Sequence, residues 1–349
     1  MIVKDEQAVI QRCLASLIGI IDYWVIVDTG SSDETKDLIC KTLANIPGEL
    51  HERAWVNFEH NRNEALALAK TKASYLLFID ADETLLISKT FKKSDLTLDF
   101  YKFRLIEREK TDVYRISLIK DHPAWFWKGV IHEAIYSSER MRGETLETIV
   151  KLSSSVDGKR TQDPLKFFKD AAILEKALLA EPNNTRYMFY LAQSYGNAGL
   201  YEKSLDWYAK RALIPDYDEE VFWSYYCLGM IHQHIGSEPT LFIDAYTKAA
   251  QTCPTRSEPL YQLASYYYKN GEPLLAYAFA KSAFSFSLPE SYMYCHSWIY
   301  DYASLLLLAQ IADALGFKEE ALSRYRLALQ KNLPDDARLF VNSAIERLA

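Results

Sequence analysis

The sequence is poor in the features that assign a chain quickly. Its five cysteines, Cys13, Cys40, Cys227, Cys253 and Cys295, are odd in number, widely scattered and form no Cys-x-x-Cys pair. That excludes a disulfide framework or a zinc knuckle and fits a reducing, cytoplasmic setting. No apolar run reaches the length of a bilayer-spanning helix, and no leader-like stretch is read at the start. No Gly-x-Gly-x-x-Gly follows a strand-like run, which argues against a dinucleotide-binding fold. Basic surface is lacking too: the formal net charge of −7 opposes non-specific binding of nucleic acid. Glycine and proline are too sparse for a long disordered tail.

What is present is length for two domains, with 349 residues, and many aromatics, with 24 Tyr, 16 Phe and 7 Trp. Such side chains can pack helices or line a sugar or base pocket, and composition does not choose between the two.

The hydrophobic period changes near residue 160. Before it, short apolar runs alternate with short helical stretches. "MIV" and "YWVIVD" read as strands. "EQAVIQRCLASLIG", "TGSSDETKDLICKTLA" and "NEALALAKTKA", Asn63 to Ala73, read as helices. "YLLFID" is the next strand. This order predicts a parallel sheet covered by helices. "DFYKFRLI" and "DVYRISLIK" predict a strand pair turning at Glu107 to Thr111, and "WFWKGVIHEAIY" a further strand-and-turn unit.

From Pro164 a spacing near 34 residues sets in, the period of tetratricopeptide repeats. Leu174, Ala177 and Pro182 are echoed by Tyr246, Ala249 and Pro254. Leu191, Ala192, Tyr195 and Gly199 are echoed by Leu263, Ala264, Tyr267 and Gly271, and by Leu308, Ala312 and Gly316. Roughly four repeats behind a leading helix at 165 to 181 are expected, degenerate around Gly236 and around Ser285 to Ser297, stacked as one solenoid.

One stretch raises a chemical question. In "YLLFIDADETLL" a buried strand ends in Asp80, Asp82 and Glu83. Carboxylates two apart lie on one side of a strand or tight turn and suit a hard divalent ion. Asp28 ends the other buried strand, before Thr29, Gly30, Ser31 and Ser32. Open α/β sheets bind ligands outside such strand ends. An ordinary acidic turn or helix cap is the plainer alternative.

The motifs "MIVKDE", "DYWVIVDTGSSDET", "NRNEALALAKTKASYLLFIDADE" and "WKGVIHEAI" stand in this order across residues 1 to 135. With them the sequence resembles the inverting GT-A glycosyltransferases of family 2, in the subgroup fused to tetratricopeptide repeats. The resemblance implies an α/β GT-A domain with a mixed, mainly parallel sheet over residues 1–157. A TPR-like all-α solenoid would follow over 158–349. It implies a nucleotide-sugar donor, UDP-linked by family base rate, with Mn²⁺ or Mg²⁺. Asp28 would recognise the base and Arg62 the nucleotide or diphosphate. Asp80 and Asp82 would hold the metal, with His132 as a third ligand. Glu133 is the candidate general base of an inverting transfer. Asp5 stands where the family has Asn, and would face the base and ribose. Lys159 and Arg160 would reach the diphosphate from a closing loop. Trp125 or Trp127 would stack on a sugar or belong to the core.

The acceptor is left open among glycan, peptide and protein. The concave face of the repeats offers either a place for it or a homodimer contact. The competing reading is a scaffold protein whose transferase domain has lost activity.

Overall fold

The computed structural model describes residues 1–107, 112–153, 158–160, 162–289 and 293–349. The chain divides into two compact units, Met1–Asn183 and Asn184–Ala349. Among the described residues no helix is long and apolar enough to cross a membrane.

The first unit begins with β1 (Ile2–Val3), α1 (Ile10–Ala15), β2 (Trp24–Asp28), α2 (Thr35–Thr42), β3 (Gly48–Glu52) and α3 (Phe58–Ala69). These strands form a parallel sheet in the order β1-β2-β3. Helical crossovers make that direction possible. Helix α3 starts five residues before the expected Asn63, because the Asn57 side chain accepts the His60 N–H at 2.8 Å and caps it.

Then follow β4 (Tyr75–Leu77), β5 (Glu83–Ile87), β6 (Phe100–Glu107), β7 (Asp112–Lys120), β8 (Trp125–Lys128), β9 (Ala134–Ser137), β10 (Gly143–Ser153) and α4 (Lys166–Ala180). A five-stranded sheet has the order β4-β7-β6-β10-β5, and β8 and β9 form a separate hairpin. Among the described residues of the larger sheet only β6 and β10 pair in parallel. The expectation of a mainly parallel sheet therefore holds for the first three strands and not for the rest. From β4 to β10 no described α-helix intervenes, and parallel neighbours need a crossover of a dozen residues or more. The turn expected at Glu107 to Thr111 falls on residues 108–111, outside the described residues. So do residues 154–157, beside the expected domain boundary. The core joins both sheets to α1 and α2 through Val3, Leu14, Ile26, Ile39, Ile79, Phe103 and Leu118.

The second unit is an α-helical solenoid of helix pairs. They are α5 (Thr185–Asn197) with α6 (Tyr201–Ala212), α7 (Asp218–His234) with α8 (Pro239–Thr252), α9 (Glu258–Lys269) with α10 (Pro273–Phe284), and α11 (Ser304–Ala314) with α12 (Lys318–Ala328). Helix α13 (Asp335–Leu348) packs on α12, and a π-helical turn, Ile299–Ala303, leads into α11. Each pair turns at a glycine of positive φ: Gly199, Gly236, Gly271 and Gly316. The next N–H closes back on the helix, as Ser237 does on the His232 carbonyl at 2.9 Å. The pair around Gly236 is thus complete rather than degenerate. Its small packing residue is Gly229, where a Cβ would stand 2.5 Å from the Tyr246 ring.

Candidate active site

Asp80, Ala81 and Asp82 form the tight turn between β4 and β5, closed by the Glu83 N–H on the Asp80 carbonyl at 3.1 Å. Glu83 is not a turn acid. It is buried in β5, where its Oε2 accepts from the Asp80 N–H at 2.9 Å and from Lys151 Nζ at 2.8 Å. A buried ion pair thus braces the turn and leaves Asp80 and Asp82 to point elsewhere.

Arg62, on α3, gathers the site. One guanidinium NH₂ donates to Asp80 Oδ1 at 2.8 Å, and Nε donates to Glu133 Oε1. Its plane lies over the Trp127 ring, 4.8 Å from the centroid. Burial works to raise the Asp80 carboxyl. The Arg62 charge and hydrogen bond, with Lys151 and Arg115, more than offset this and hold it near pKa 2. For Asp82 the balance is reversed: burial, then Asp80 and Glu83, outweigh the opposing Arg12 charge and push it up to about 6.

Glu133 is 9 % exposed and belongs to the β8–β9 loop. That loop needs Gly129 at φ +123°, where a Cβ would come 3.1 Å from Glu133 Cα. His132 also takes a positive φ, +53°. Asn63 fixes the hairpin to α3: its amide donates to the Trp127 carbonyl and accepts from the Trp127 N–H, both at 2.8 Å. Glu59 accepts from the Gly129 N–H at 2.7 Å. Neither Asn63 nor Glu59 was singled out from sequence, although two asparagines flanking Arg62 at the start of a helix are the kind of signal that marks such clamps. Trp125 and Trp127 are both core residues. Trp125 packs on Phe100 and Trp127 on Phe78, and their neighbour Phe126 is the exposed one.

At the end of β2, Asp28 is fully buried. Its Oδ1 accepts from the N–H groups of Gly30 (2.9 Å) and Ser31 (2.8 Å), while Oδ2 is buried without a hydrogen-bond partner. A buried acceptor left open marks a place where a ligand donor fits. Asp5, at φ +53°, turns its carboxylate onto the Ser32 N–H at 2.8 Å and ties the loop after β1 to the loop after β2. Beside it, burial raises Glu6 to about 7, with Asp82, Asp33 and Asp80 adding to the rise. The Glu6 carboxylate accepts from the Lys159 N–H at 3.4 Å. Arg160 is engaged with Asp170 and lies over the Phe58 ring, 4.7 Å from its centroid.

The structure thus brings Arg62, Asp80 and Glu133 into direct contact, and Asp5 onto the loop that follows Asp28. Among the described residues no group of three or more His, Cys, Asp or Glu is arranged to hold a metal ion, so Asp80, Asp82 and His132 are not gathered into one three-ligand cluster. The chemistry of Asp80 and Asp82 still suits a divalent ion that shares its coordination with a ligand's oxygens. Burial first, and then the neighbouring negative charge, raise Asp82, and a bound cation would offset both. A cavity of about 690 Å³ lies behind Arg62, among Ile26, Leu66, Leu77, Phe103 and Trp127. Such apolar walls offer little to a phosphate.

Residues 1–91 match the family model for Glycosyl transferase family 2. The matched segment includes Asp5, Asp28, Arg62, Asp80 and Asp82 and stops short of His132 and Glu133. A TPR repeat-containing protein of Synechococcus elongatus is 37% identical over 87 residues, which cover 25% of this chain and 20% of that one. The SPbeta prophage-derived glycosyltransferase SunS of Bacillus subtilis is 24% identical over 223 residues, 60% of this chain and 51% of that one. The chain therefore spans about a fifth and about half of these relatives. Solved structures that match at low identity include MamA, at 22% identity and TM-score 0.39 over 49% of this chain and 91% of that one. A TPR protein of Thermus thermophilus matches at 21% identity and TM-score 0.35, over 53% of this chain and 98% of that one.

Proposed function

We propose that the N-terminal unit is an inverting glycosyltransferase of the GT-A kind, taking a sugar from a nucleotide-sugar donor. The observation that carries this reading is the buried Arg62 bridging Asp80 and Glu133. It sets a cation for a diphosphate beside a carboxylate able to take a proton.

The open Oδ2 of Asp28 accepts only, so it suits a base with an N–H donor, as in the imide of uracil. Thymine and guanine carry a ring N–H of the same kind, so UDP is the expected nucleotide by family base rate and not by this contact. Asp80 and Asp82 would hold Mn²⁺ or Mg²⁺ with diphosphate oxygens, and the ion would stabilise the leaving charge. Arg62 is shared between two carboxylates in the free protein. An arriving diphosphate competes for it, which loosens its hold on Glu133 and frees a carboxylate oxygen to face the acceptor. Glu133 then takes the proton of an acceptor hydroxyl or thiol. The acceptor atom bonds to the anomeric carbon as the bond from that carbon to the phosphate oxygen breaks. The nucleoside diphosphate leaves with the electron pair, and a single displacement inverts the centre. Lys159 is exposed, its N–H meets the Glu6 carboxylate, and its side chain would reach the diphosphate from that loop. Glycan, peptide and protein acceptors all fit this chemistry.

The test is a melting-temperature panel of UDP, GDP, TDP and CDP, each with Mn²⁺ or with chelator. A ligand at 100 times its Kd adds about 2.7 kcal/mol of stability. We expect UDP with Mn²⁺ to raise the melting temperature, and Asp82→Ala to abolish the rise. A folded protein that answers to no nucleotide would leave the inactive-scaffold reading in place.

A further inference from the structure

In the helical unit, residues Met293–His296, before α11, touch the first helices of three successive pairs, α5, α7 and α9. Over Met293–His296 burial alternates as in an extended strand laid on a surface: Met293 and Cys295 are buried, Tyr294 and His296 half-buried. The Ser297 N–H then turns back on the Cys295 carbonyl at 3.0 Å, and the helical turn before α11 begins. The surface addresses its main chain. The Tyr294 carbonyl accepts from Trp223 Nε1 of α7 at 2.9 Å and from a guanidinium NH₂ of Arg256 at 3.0 Å. The His296 N–H donates to Glu258 Oε1 of α9 at 3.4 Å. The side chains add rings and tips: His296 stands edge-on to Trp223 (5.3 Å) and Tyr226 (5.6 Å), and Tyr294 OH reaches Gln193 of α5 at 3.4 Å.

Arg256 and Glu258 are buried and paired at 2.6 Å, so one presents a donor and the other an acceptor to the same strand. Buried charges of this kind are costly unless their hydrogen bonds are used. Several of the N and O bonds to the segment lie at the long end, from 3.2 to 3.4 Å. One Arg256 NH₂ group is buried with no hydrogen-bond partner, 3.9 Å from the Glu219 carboxylate. The fit is that of a ligand held by its backbone rather than of a core strand.

We propose that Met293–His296 is a built-in occupant of a peptide groove formed by α5, α7 and α9, and that an extended peptide with a ring–small–ring pattern competes with it for that groove. The face of the repeats expected from sequence to take an acceptor is thereby closed by the chain's own segment until a stronger peptide displaces it. This inference concerns binding and does not rest on the transferase reading.

The probe is a labelled, end-blocked hexapeptide with the sequence of Met293–Trp298 and serine at the Cys295 place, followed by fluorescence anisotropy. Tyr294→Gly with His296→Gly weakens the internal occupant, and this variant is expected to bind the probe at least tenfold tighter than the parent. Adding Trp223→Phe, which keeps the ring and removes its N–H, is expected to lose that gain. A folded double variant that binds no tighter than the parent overturns the proposal. If the double variant does not fold, hydrogen exchange on the unaltered protein decides. Millimolar probe is expected to speed exchange of the His296 amide while α7 and α9 stay protected. Unchanged His296 exchange overturns the proposal.

Discussion

Arg62 and Glu133 form an ion pair between residues 71 positions apart, and the same guanidinium holds Asp80. One cation thus fixes the β8–β9 loop and the acidic turn to α3 at once. Glu133 is 9 % exposed and Arg62 13 %, so removal of the cation strands carboxylate charge in a poorly solvated place. Arg62→Ala is expected to cost roughly 3 kcal/mol in denaturant unfolding, toward the low end for a broken buried pair. The discount reflects Asp80, whose side chain is 39 % exposed. The same variant is expected to lose the response to nucleotide. A variant with unchanged midpoint and intact nucleotide response would remove Arg62 from both roles.

Lys151 and Glu83 are a second pair, with side chains 6 % and 5 % exposed. Lys151→Met leaves Glu83 buried without its cation and is expected to cost about 3–5 kcal/mol. Glu83→Leu added to it removes the stranded charge. The double variant then lacks the acceptor for the Asp80 N–H, worth about 1–2 kcal/mol, and the Lys151 charge that helps keep Asp80 ionised, and should still be the more stable of the two. Equal destabilisation of single and double variants would mean that a stranded Glu83 charge is not what the single variant costs.

These two pairs also mark where the sequence stops being readable. The helix pairs were legible because their signals are local: a period near 34, small residues at set places, and glycines at the turns. Gly236 looked out of pattern only because its companion small residue is Gly229, seven positions before it. The strands β1, β2, β6 and β7 announced themselves by apolar runs, whereas β3 (GELHE) and β10 carry too many polar residues to do so. Glu83 read as a turn acid because the residue that buries it, Lys151, lies 68 positions away. Asp80, Asp82, Asp28 and Arg62 stand out as candidates through their motifs. That Arg62 would be shared by Asp80 and Glu133, and that Asp28 would keep one buried oxygen open, are facts of packing that no local pattern encodes.

Glu6 gives a pH signature of opposite sign to an ordinary paired carboxylate. Its folded pKa is raised from 4.5 to about 7, by burial first and then by Asp82, Asp33 and Asp80. Between those values the folded chain binds more proton than the unfolded one, so stability is full below about pH 4.5 and is lost as pH rises toward 7. The side chain is only half-buried, so the loss is on the order of 1 kcal/mol. Glu6→Gln is expected to flatten the stability profile across this window, measured by urea unfolding with chelator present. A profile of unchanged slope would show that Glu6 titrates in its usual range.

Gly229 sets two effects against each other. Alanine in the middle of α7 gains roughly 1 kcal/mol of helix propensity over glycine. Its Cβ, however, would stand 2.5 Å from the Tyr246 ring, which is itself fully buried between α7 and α8. The ring cannot retreat without moving its hydroxyl from Gln233, at 2.9 Å, or pushing on Tyr226, whose ring centre is 5.7 Å away. Overpacking of this kind costs about 1–3 kcal/mol and outweighs the propensity gain. Gly229→Ala is therefore expected to lower stability by about 1–2 kcal/mol, and Gly229→Ala with Tyr246→Phe to recover little, because the clash lies at the ring edge and not at the hydroxyl. Thermal unfolding of the three proteins decides it. A stabilised single variant would mean that α7 and α8 can separate by a few tenths of an ångström without loss, and that this pair is packed more loosely than its neighbours.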